Sequence, residues 1–362
     1  MRNQKKEKNM KQKVLLGMSG GVDSSVAAIL LQEQGYEVIG ATMKLWNQEE
    51  KERCGSFSAV EDAKKVCEKL EIQHYTLDYQ DIFQKHVIQD FIDCYQCSKT
   101  PNPCIECNRY LKFGAFYEKA KELGCQYIST GHYAKVEYSD KYQQYVLKKS
   151  KADKKDQTYF LYQIPKELLS HMLFPLEDFT DKSEIRKIAE KHGLVVAKKP
   201  DSQEVCFIPD NDYASFVISH MKEEPKPGNI VTKQGEMLGK HKGLIYYTVG
   251  QRKAIGVSYK KPLYVIALNR EKNELIVGTE EELYQTELIA NQINFLIDDF
   301  SKGENKVKAK IRYRAKEAKA KMIPIGNNSI KVIFEEPQRA ITPGQSVVFY
   351  QDDIVIGGGK IR

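Results

Sequence analysis

A glycine-rich loop between a short apolar segment and an apolar helix is the most constraining feature of this chain. The segment Val14–Leu16 precedes the loop Ser19–Ser24, and a further apolar run begins at Ser25. Small residues let the backbone close around a phosphate, and the N–H groups and positive dipole end at the start of a helix favour an anion there. The loop lacks the G-K-[ST] half of a Walker loop and the G-x-G-x-x-G of a dinucleotide-binding fold. We therefore predict a strand–loop–helix unit of another phosphate-binding kind.

The first half of the chain alternates predicted strands with predicted helices. Apolar runs indicate strands over 36–43, 72–77 and 127–132, and helical spacing indicates helices over 58–70, 82–95 and 111–123. Repeated β-α units imply an α/β fold with a doubly wound parallel sheet. Ligands of such sheets sit beyond the carboxyl ends of the strands, where the glycine-rich loop, Met43 and Thr130–His132 are all expected. We expect these three segments to face one crevice.

The second half of the chain has a different character. A tyrosine-rich stretch over 135–149 predicts a hairpin. Asp181–Glu184 is predicted to open a helix over 185–192 that ends before Gly193, a suitable C-cap. Short strands and turns dominate beyond Pro200. Because 362 residues exceed one ordinary core, we predict three domains: a catalytic α/β domain over 1–209, a small β-rich domain over 210–280 and a β-barrel, or alternatively a sandwich, over 281–362.

Composition and charge narrow the class of protein. The charged fraction of 29% and the hydrophobic fraction of 41% suit a soluble globular protein. No apolar run reaches the length of a membrane span, and Met1–Lys13 lacks the apolar core of a secretory signal. We therefore expect a cytoplasmic protein without a membrane partner. A net charge of +7 permits a nucleic-acid partner without demanding one.

The eight cysteines of an intracellular chain point to thiol chemistry or metal binding more than to structural disulfides. Cys104 and Cys107 lie in the proline-stiffened segment 100–109, which we expect to place them at a helix entrance, where thiol pKa values are lowered. Cys206 stands alone between two prolines at the predicted domain junction. We expect Cys54, Cys67 and Cys125 to be small core residues.

Three interpretations of the remaining cysteines compete. Cys107 and Cys206 suit a redox and sulfur-carrying pair. Cys94, Cys97, Cys104 and Cys107 form two C-x-x-C units that suit zinc, although the six residues between the units are few for a zinc ribbon. Cys104, Cys107 and Cys206 suit an iron–sulfur cluster with one iron left open. The residues alone leave the first and third interpretations open.

Ordered motifs along nearly the whole chain resemble the tRNA-specific 2-thiouridylase family. The glycine-rich loop resembles the pyrophosphate loop of ATP pyrophosphatases, and NAD, GMP, asparagine and argininosuccinate synthetases share that motif only. The motifs are G-M-S-G-G-V-D-S (17–24), M-K-L-W (43–46), T-P-N-P-C-x-x-C-N (100–108), T-G-H-Y-A (130–134), K-D-Q-T-Y-F-L (155–161), Asp201-Ser202-Gln203 with V-C-F-I (205–208), Y-T-V-G-Q-R-K (247–253), R-Y-R (312–314) and T-P-G-Q-S (342–346).

The resemblance implies a reaction. ATP with Mg²⁺ would adenylate O2 of the wobble uridine U34 in tRNAs for Lys, Glu and Gln, and sulfur would replace that oxygen. Cys206 would carry the sulfur as a persulfide, and Cys107 would release the product and leave a Cys107–Cys206 disulfide. A cysteine desulfurase or a relay protein would supply the sulfur.

The resemblance also implies site residues. Asp23 would assist magnesium, and the backbone near Met43 and Gly131 would hold adenosine. The implied nucleotide-binding residues are Gly17, Met18, Ser19, Gly20, Gly21, Val22, Asp23, Ser24, Met43 and Gly131. The implied tRNA-contacting residues are Asn102, Pro103, Cys104, His132, Lys155, Asp156, Gln157, Arg312, Tyr313 and Gln345. Many relatives have aspartate at the position of Cys104, so cysteine there puts an acid–base role in doubt and favours the cluster interpretation.

Overall fold

The computed structural model describes residues 11–46, 57–152, 155–200, 205–208 and 212–362. The motif residues Asp201–Gln203 and the cysteine Cys54 lie outside these ranges. The strands of the first half are β1 Lys13–Gly17, β2 Glu37–Lys44, β3 Gln73–Asp78, β4 Tyr127–Ser129, β5 Lys135–Ser139, β6 Gln144–Lys148 and β7 Met172–Leu173.

Five of these strands form the predicted parallel sheet. Its order is β3-β2-β1-β4-β7, and each neighbouring pair is parallel. Val14, Leu15 and Leu16 of the central strand β1 are fully buried, as expected for a strand covered on both faces. The chain order turns back between β1 and β4, which places a ligand crevice at the carboxyl ends of these two strands. Strand β7 was not predicted, because two residues carry no readable period.

Helices of the α/β kind surround the sheet or connect its strands to the other domains. They are α1 Val22–Glu33, α2 Phe57–Lys69, α3 Gln80–Phe83, α4 Gln89–Gln96, α5 Pro103–Glu106, α6 Phe116–Glu122, α7 Lys182–Lys191 and α8 Tyr213–Ile218. The Asp181 side chain accepts a hydrogen bond from the backbone N–H of Ser183 at the start of α7, and Gly193 beyond its end has φ +64°, which suits the predicted C-cap. None of the helices in the described ranges has the length and apolar character that a bilayer crossing requires.

Two predicted helices contain π-helical segments. Gln84–Ile88 joins α3 to α4, and Cys107–Ala115 joins α5 to α6. The i→i+5 hydrogen bonding of a π-helix changes which residues share a face, and such segments are frequent at functional sites. The periodicity of the sequence predicted these helices but not their local widening.

The predicted hairpin is present as β5 and β6, but it joins the sheet of the C-terminal domain. Lys148 of β6 pairs with Ile354, and buried Leu147 belongs to the same apolar cluster as Val348 and Val355. The α/β domain and the C-terminal domain therefore share a core.

The two remaining domains are built from antiparallel and mixed sheets. The middle domain holds β8 Gly228–Thr232, β9 Met237–His241, β10 Tyr264–Asn269 and β11 Glu274–Gly278. The C-terminal domain holds β12 Tyr284–Phe295, β13 Asn305–Lys310, β14 Ala318–Gly326, β15 Ser329–Arg339, β16 Ser346–Gln351 and β17 Ile354–Ile361. Pairing of β12 with both β15 and β17 closes this sheet into the predicted barrel. The domain boundaries at 209 and 280 stay predictions.

Candidate active site

The glycine-rich loop connects β1 to α1 as the sequence predicts. Gly20 has φ +68°. Gly21 is the N-cap residue of α1 with an extended backbone, and no side chain caps the helix at this position. The hydroxyls of Ser24 and Ser25 donate to the Gly21 carbonyl at 3.2 and 2.9 Å. Because the first N–H groups of a helix have no partner within it, this arrangement leaves donors available to an anion.

The end of β4 packs directly against this loop. A Cβ atom on Gly131 would lie 2.8 Å from the backbone nitrogen of Ser24, and one on Gly20 would lie 2.2 Å from the carbonyl oxygen of Ala59. Met43 lies near the carboxyl end of β2, beside β1 in the same sheet. The predicted nucleotide-binding residues therefore lie at one edge of the sheet, and only glycine fits at positions 20 and 131.

Two lysines beside the loop were missed by the sequence analysis. Lys182 donates to Asp23 over 2.9 Å, and Asp23 also accepts from the Tyr133 hydroxyl at 3.0 Å. Lys199 lies 2.7 Å from an Asp62 oxygen and donates to the Gly20 carbonyl at 3.1 Å. In sequence, Lys182 follows Asp23 by 159 positions and Lys199 follows Gly20 by 179 positions. Only the tertiary fold brings them to it.

The cysteine segment forms a helix start, as predicted. Helix α5 has Asn102 as its N-cap residue and Pro103 in its first turn, and it continues into the π-helical segment that begins at Cys107. The Cys206 segment is anchored beside it, because Phe207 belongs to one apolar cluster with Leu111 and packs edge-on against Phe83 with ring centroids 5.6 Å apart. The fold thus brings the segments of Cys107 and Cys206, which lie 99 positions apart in the sequence, together around one apolar cluster.

Burial raises the pKa of Cys104, Cys107 and Cys206, so the predicted lowering of thiol pKa at the helix entrance was wrong. Cys104 and Cys206 are solvent-accessible and Cys107 is half-buried. The protein atoms around the sulfurs nevertheless remove water from them, and the cost of this desolvation for the thiolate outweighs the attraction of the helix dipole. Cys107 and Cys104 further raise the pKa of Cys206, whereas Lys112 lowers the pKa of all three thiols. The three cysteines therefore lie within electrostatic reach of one another and of Lys112.

The described side chains do not form a ready metal site. Over the described ranges, no group of three or more His, Cys, Asp and Glu side chains is arranged to hold a metal ion. Cys94 is buried, with Sγ 3.9 Å from the Lys360 ammonium, and Cys97 accepts from the Arg270 guanidinium at 3.5 Å. The zinc interpretation therefore has no support in this part of the chain, and the described thiols do not present a cluster site either. Cys67 and Cys125 are buried as predicted.

Family comparisons agree with this geometry. Family models match the chain as a tRNA methyl transferase HUP domain over residues 12–210, a tRNA methyl transferase PRC-barrel domain over 214–279 and an aminomethyltransferase β-barrel domain over 285–361. The tRNA-specific 2-thiouridylase MnmA of Clostridioides difficile (strain 630) is 51% identical over 357 residues, which cover 98% of this chain and 99% of that protein. The chain belongs to the tRNA-specific 2-thiouridylase family.

A second member of the 2-thiouridylase family is similarly close in sequence. MnmA of Clostridium botulinum (strain Alaska E43 / Type E3) is 53% identical over 358 residues, with 97% of this chain and 98% of that protein covered. Among solved structures, the U34-tRNA thiolase NcsA of Methanococcus maripaludis, with its 4Fe-4S cluster, aligns with a TM-score of 0.36 at 20% identity over 54% of this chain and 63% of that chain. The two MnmA relatives confirm the resemblance carried by the ordered motifs.

Three residues that the 2-thiouridylase resemblance assigns to tRNA make contacts within the protein. Asp156 is buried and accepts from the Thr158 hydroxyl at 2.6 Å. The Gln157 side chain accepts from the Tyr133 N–H at 2.9 Å, and the Gln345 amide donates to the Thr100 carbonyl at 3.0 Å. These side chains therefore shape the site from within, and their contacts with tRNA stay predictions.

The other assigned residues form two groups. Tyr313 packs against Phe160 with ring centroids 4.4 Å apart, so the R-Y-R and K-D-Q-T-Y-F-L motifs meet. The Lys155 ammonium lies 5.6 Å from the centre of the Tyr133 ring. The Arg312 guanidinium donates to the Arg339 carbonyl at 3.3 Å. His132 lies instead beside the thiol segment, because its ring is 6.1 Å from that of Phe113. Its Nδ1 is 2.7 Å from the Thr130 hydroxyl, and burial with the nearby Lys112 charge lowers its pKa well below 6.5.

The barrel of this 2-thiouridylase-family chain holds the cysteine segment in place. Lys360 of β17 lies 3.0 Å from Asp90 and 3.4 Å from Glu106, the residue before Cys107. The Thr100 N–H donates to the Pro343 carbonyl at 2.9 Å, and a Cβ atom on Gly344 would lie 2.8 Å from the Thr100 carbonyl oxygen. The T-P-G-Q-S motif is therefore a contact between the barrel and the thiol segment.

Proposed function

We propose that this chain is an ATP-dependent tRNA 2-thiouridylase that adenylates O2 of U34 in tRNAs for Lys, Glu and Gln and replaces that oxygen by sulfur. One observation carries the proposal: Gly131 packs against the glycine-rich loop, and the ring of the next residue, His132, lies 6.1 Å from that of Phe113 in the helical segment that begins at Cys107. A phosphate-binding loop that lies this near a thiol segment suits a reaction in which ATP activates what sulfur then attacks. We place this reaction in the cytoplasm, with no membrane partner.

Activation of the base is required because a uracil carbonyl oxygen is a poor leaving group, whereas AMP is a good one. Backbone N–H groups around Gly20, Gly21 and Val22 are proposed to hold the pyrophosphate, and Lys182 and Lys199 supply positive charge beside it. Mg²⁺ usually takes one or two carboxylates together with substrate phosphates, which fits Asp23 at the start of α1. The base must leave its stack to reach the crevice.

Sulfur transfer follows by two displacements. The terminal sulfur of a Cys206 persulfide attacks C2 of the adenylated uracil, and AMP leaves with the original oxygen. The Cys107 thiolate then attacks the Cys206 sulfur, which forms a Cys107–Cys206 disulfide and releases the thiolated base. An external thiol reductant regenerates both cysteines, and a cysteine desulfurase or relay protein reloads Cys206. Disulfide formation requires the two Cα atoms to come within about 7 Å.

The cysteine variants test this proposal. With ATP, Mg²⁺, a persulfide donor and U34 tRNA, we expect Cys107→Ser and Cys206→Ser to release pyrophosphate from ATP and to lose 2-thiouridine, with the nucleoside measured by mass spectrometry. Cys97→Ser is the matched control, because Cys97 is exposed and lies outside the thiol site, and it should retain full turnover. Full thiolation by both Ser variants would contradict the proposal, as would a methylated nucleoside as the product.

Anaerobic purification tests the cofactor. The persulfide route predicts colourless, fully active protein. About four irons per chain with a broad visible absorption band would instead select a 4Fe-4S cluster on Cys104, Cys107 and Cys206.

A further inference from the structure

The outer face of the barrel carries lysines that lie directly opposite one another on neighbouring strands. Strands β13 and β14 are antiparallel, with Lys306 opposite Lys321 and Lys308 opposite Lys319. The residues that alternate with them, such as Val307, lie in the buried core of the barrel. Because successive side chains of a strand point to opposite faces, the four lysines form one outward lysine face, and each of them is exposed.

The lysine face is electrostatically unfavourable in the free protein. Side chains opposite one another on antiparallel strands have Cβ atoms about 5 Å apart, and like charges at such positions repel. Nearby carboxylates relieve little of this repulsion, because Glu317 pairs with Lys149 at 2.5 Å and Glu304 pairs with Lys321 at 2.9 Å. In the part of the chain that the structure describes, the other three lysines of the face form no ion pair. An anion from outside the protein would therefore relieve the repulsion.

The lysine face is continuous with the contact between the R-Y-R and K-D-Q-T-Y-F-L motifs. Lys310 continues the same alternation on β13, and its ammonium lies 5.5 Å from the centre of the Tyr313 ring. Tyr313 packs in turn against Phe160, with ring centroids 4.4 Å apart. Since alternate residues of a strand are about 6.7 Å apart, a row of cations about 13 Å long runs along β13 from Lys306 to Lys310. The row ends at a residue that the family resemblance assigns to tRNA.

These features suit the sugar–phosphate backbone of RNA. Lysines that neutralise phosphates release condensed counterions, which favours binding without any reading of the base sequence. Regularly spaced cations suit a polymer of regularly spaced phosphates better than they suit a single small anion. The aromatic ring at the end of the row suits an unstacked base, as in the recognition of single-stranded RNA.

We propose that the lysine face of β13 and β14 binds the sugar–phosphate backbone of the substrate RNA beside the R-Y-R motif and so orients that RNA on the barrel. The identity of the RNA as a U34 tRNA rests on the proposed function. The affinity of the face for an RNA backbone does not depend on catalysis, because the contacts are made to phosphates far from any bond that reacts.

Binding of tRNA to the full-length protein, without ATP or a sulfur donor, tests the lysine face. The probe is an unmodified U34 tRNA transcript, and fluorescence anisotropy measures Kd at several salt concentrations. We expect Lys308→Gln/Lys319→Gln to weaken binding about tenfold at about 0.1 M salt and to lower the slope of log K against log salt by about two, because two phosphate contacts are lost. A C34 transcript should lose affinity to the same extent, since phosphate contacts carry no base information.

Lys65→Gln/Lys69→Gln is the matched control. Both lysines are exposed and form no ion pair within the described ranges, and they lie in the half of α2 that leads to the amino end of β3, at the sheet edge opposite the glycine-rich loop. This variant should bind tRNA like the wild type. Lys308→Arg/Lys319→Arg keeps the charge and should retain both the affinity and the salt slope.

Urea unfolding separates a lost contact from a damaged fold. Because the opposed charges repel in the free protein, we expect Lys308→Gln/Lys319→Gln to unfold at a higher urea concentration than the wild type. A wild-type affinity and salt slope in this variant, or an equal loss in the Lys65→Gln/Lys69→Gln control, overturns the proposal. Loss of binding to phosphatidylserine vesicles with an unchanged affinity for tRNA also overturns it, because the face would then serve a membrane surface.

The two proposals fail separately. A wild-type protein that binds tRNA through the lysine face and makes no 2-thiouridine overturns the proposed function alone. A wild-type protein that thiolates tRNA, while the Lys308→Gln/Lys319→Gln variant binds tRNA equally well, overturns the lysine face alone. Where both proposals hold, the loss in the thiolation assay should appear in the KM for tRNA.

Discussion

At the scale of single residues, the site depends on close backbone approaches and on desolvated ionisable groups. Gly131 lets the end of β4 touch the start of α1, and His132 next to it is kept neutral by burial and by the Lys112 charge. Desolvation raises the pKa of the thiols, whereas it lowers the pKa of His132, because the charged form of a thiol is an anion and that of an imidazole is a cation. Burial thus favours the neutral form of the imidazole and of the thiols alike.

We expect Gly131→Ala to destabilise the protein by about 1–3 kcal/mol, since the added Cβ overpacks backbone that cannot move aside. The atom would lie 2.8 Å from the Ser24 nitrogen. Gly21→Ala is the comparison, because its Cβ would meet only the Ser19 hydroxyl, at 3.3 Å. Urea unfolding measures both variants, and equal free energies of unfolding would contradict the expectation.

The lowered pKa of His132 gives a pH dependence of defined sign. The folded protein keeps this imidazole neutral, whereas the unfolded chain binds a proton as the pH falls below about 6.5, so stability is lost in that direction. We expect His132→Asn to reduce the loss of unfolding free energy between pH 7.5 and 5.5 by about 1 kcal/mol. Chemical denaturation at both pH values tests this, with exposed His220→Asn as a control that keeps the wild-type loss.

At the scale of elements, strand β17 of the barrel is tied to helices α4 and α5 by a half-desolvated ion cluster. Lys360 has a side-chain exposure of 16%, and Glu106 has 11%. Burial raises the pKa of Glu106, while the nearby Lys360 opposes that shift. The last strand of the chain therefore fixes the helical turn that precedes Cys107.

We expect Lys360→Met to destabilise the protein by about 3–5 kcal/mol, because it leaves Asp90 and Glu106 without their cation. A carboxyl whose folded pKa is raised loses stability as the pH rises through that pKa, so the penalty should grow with pH above the ordinary range of Glu. The double variant Lys360→Met/Glu106→Gln should recover part of the loss in thermal and urea unfolding.

Lys13→Met is the matched control for that variant. Lys13 forms an exposed pair with Glu37, with the lysine side chain 40% exposed, and such pairs contribute about 0–1 kcal/mol. An equal loss in Lys13→Met and Lys360→Met would show that the cluster has no special role.

At the scale of the whole molecule, the α/β domain and the barrel are folded as one unit. The hairpin of β5 and β6 lies early in the chain, yet its strand β6 pairs with β17. Tyr159 and Tyr162 of the same half are buried in one cluster with Val348 and Tyr350. The middle domain differs, because Ile230, Val265, Leu275 and Val277 form a cluster of its own.

We expect the fragment 1–209 to aggregate when it is produced alone. Removal of the barrel exposes the apolar cluster of Tyr159 and Tyr162 and leaves the edge of β6 unpaired. Production together with the fragment 212–362 should restore a complex with the circular dichroism spectrum of the intact chain. A monomeric, natively folded 1–209 fragment in size-exclusion chromatography would contradict this expectation.

Local sequence patterns were sufficient wherever the physical cause is local. The apolar run Val14–Leu16, the helix cap at Asp181 and the left-handed position of Gly193 follow from burial, capping and backbone sterics within a few residues. The glycine-rich loop predicted the phosphate edge for the same reason, and the ordered motifs predicted the family.

The sequence by itself thus determined the parallel sheet, the glycine-rich loop and the family, and it predicted Cys107 and Cys206 as the reactive cysteines. Only the tertiary structure decided the environment of those cysteines, because desolvation and charge depend on groups that are distant along the chain. Burial reversed the predicted shift of the Cys107 pKa, and Lys182 and Lys199 reached the loop from more than a hundred positions away. Spacing along a sequence records the order of residues, whereas an electrostatic field depends on distances that the whole fold sets.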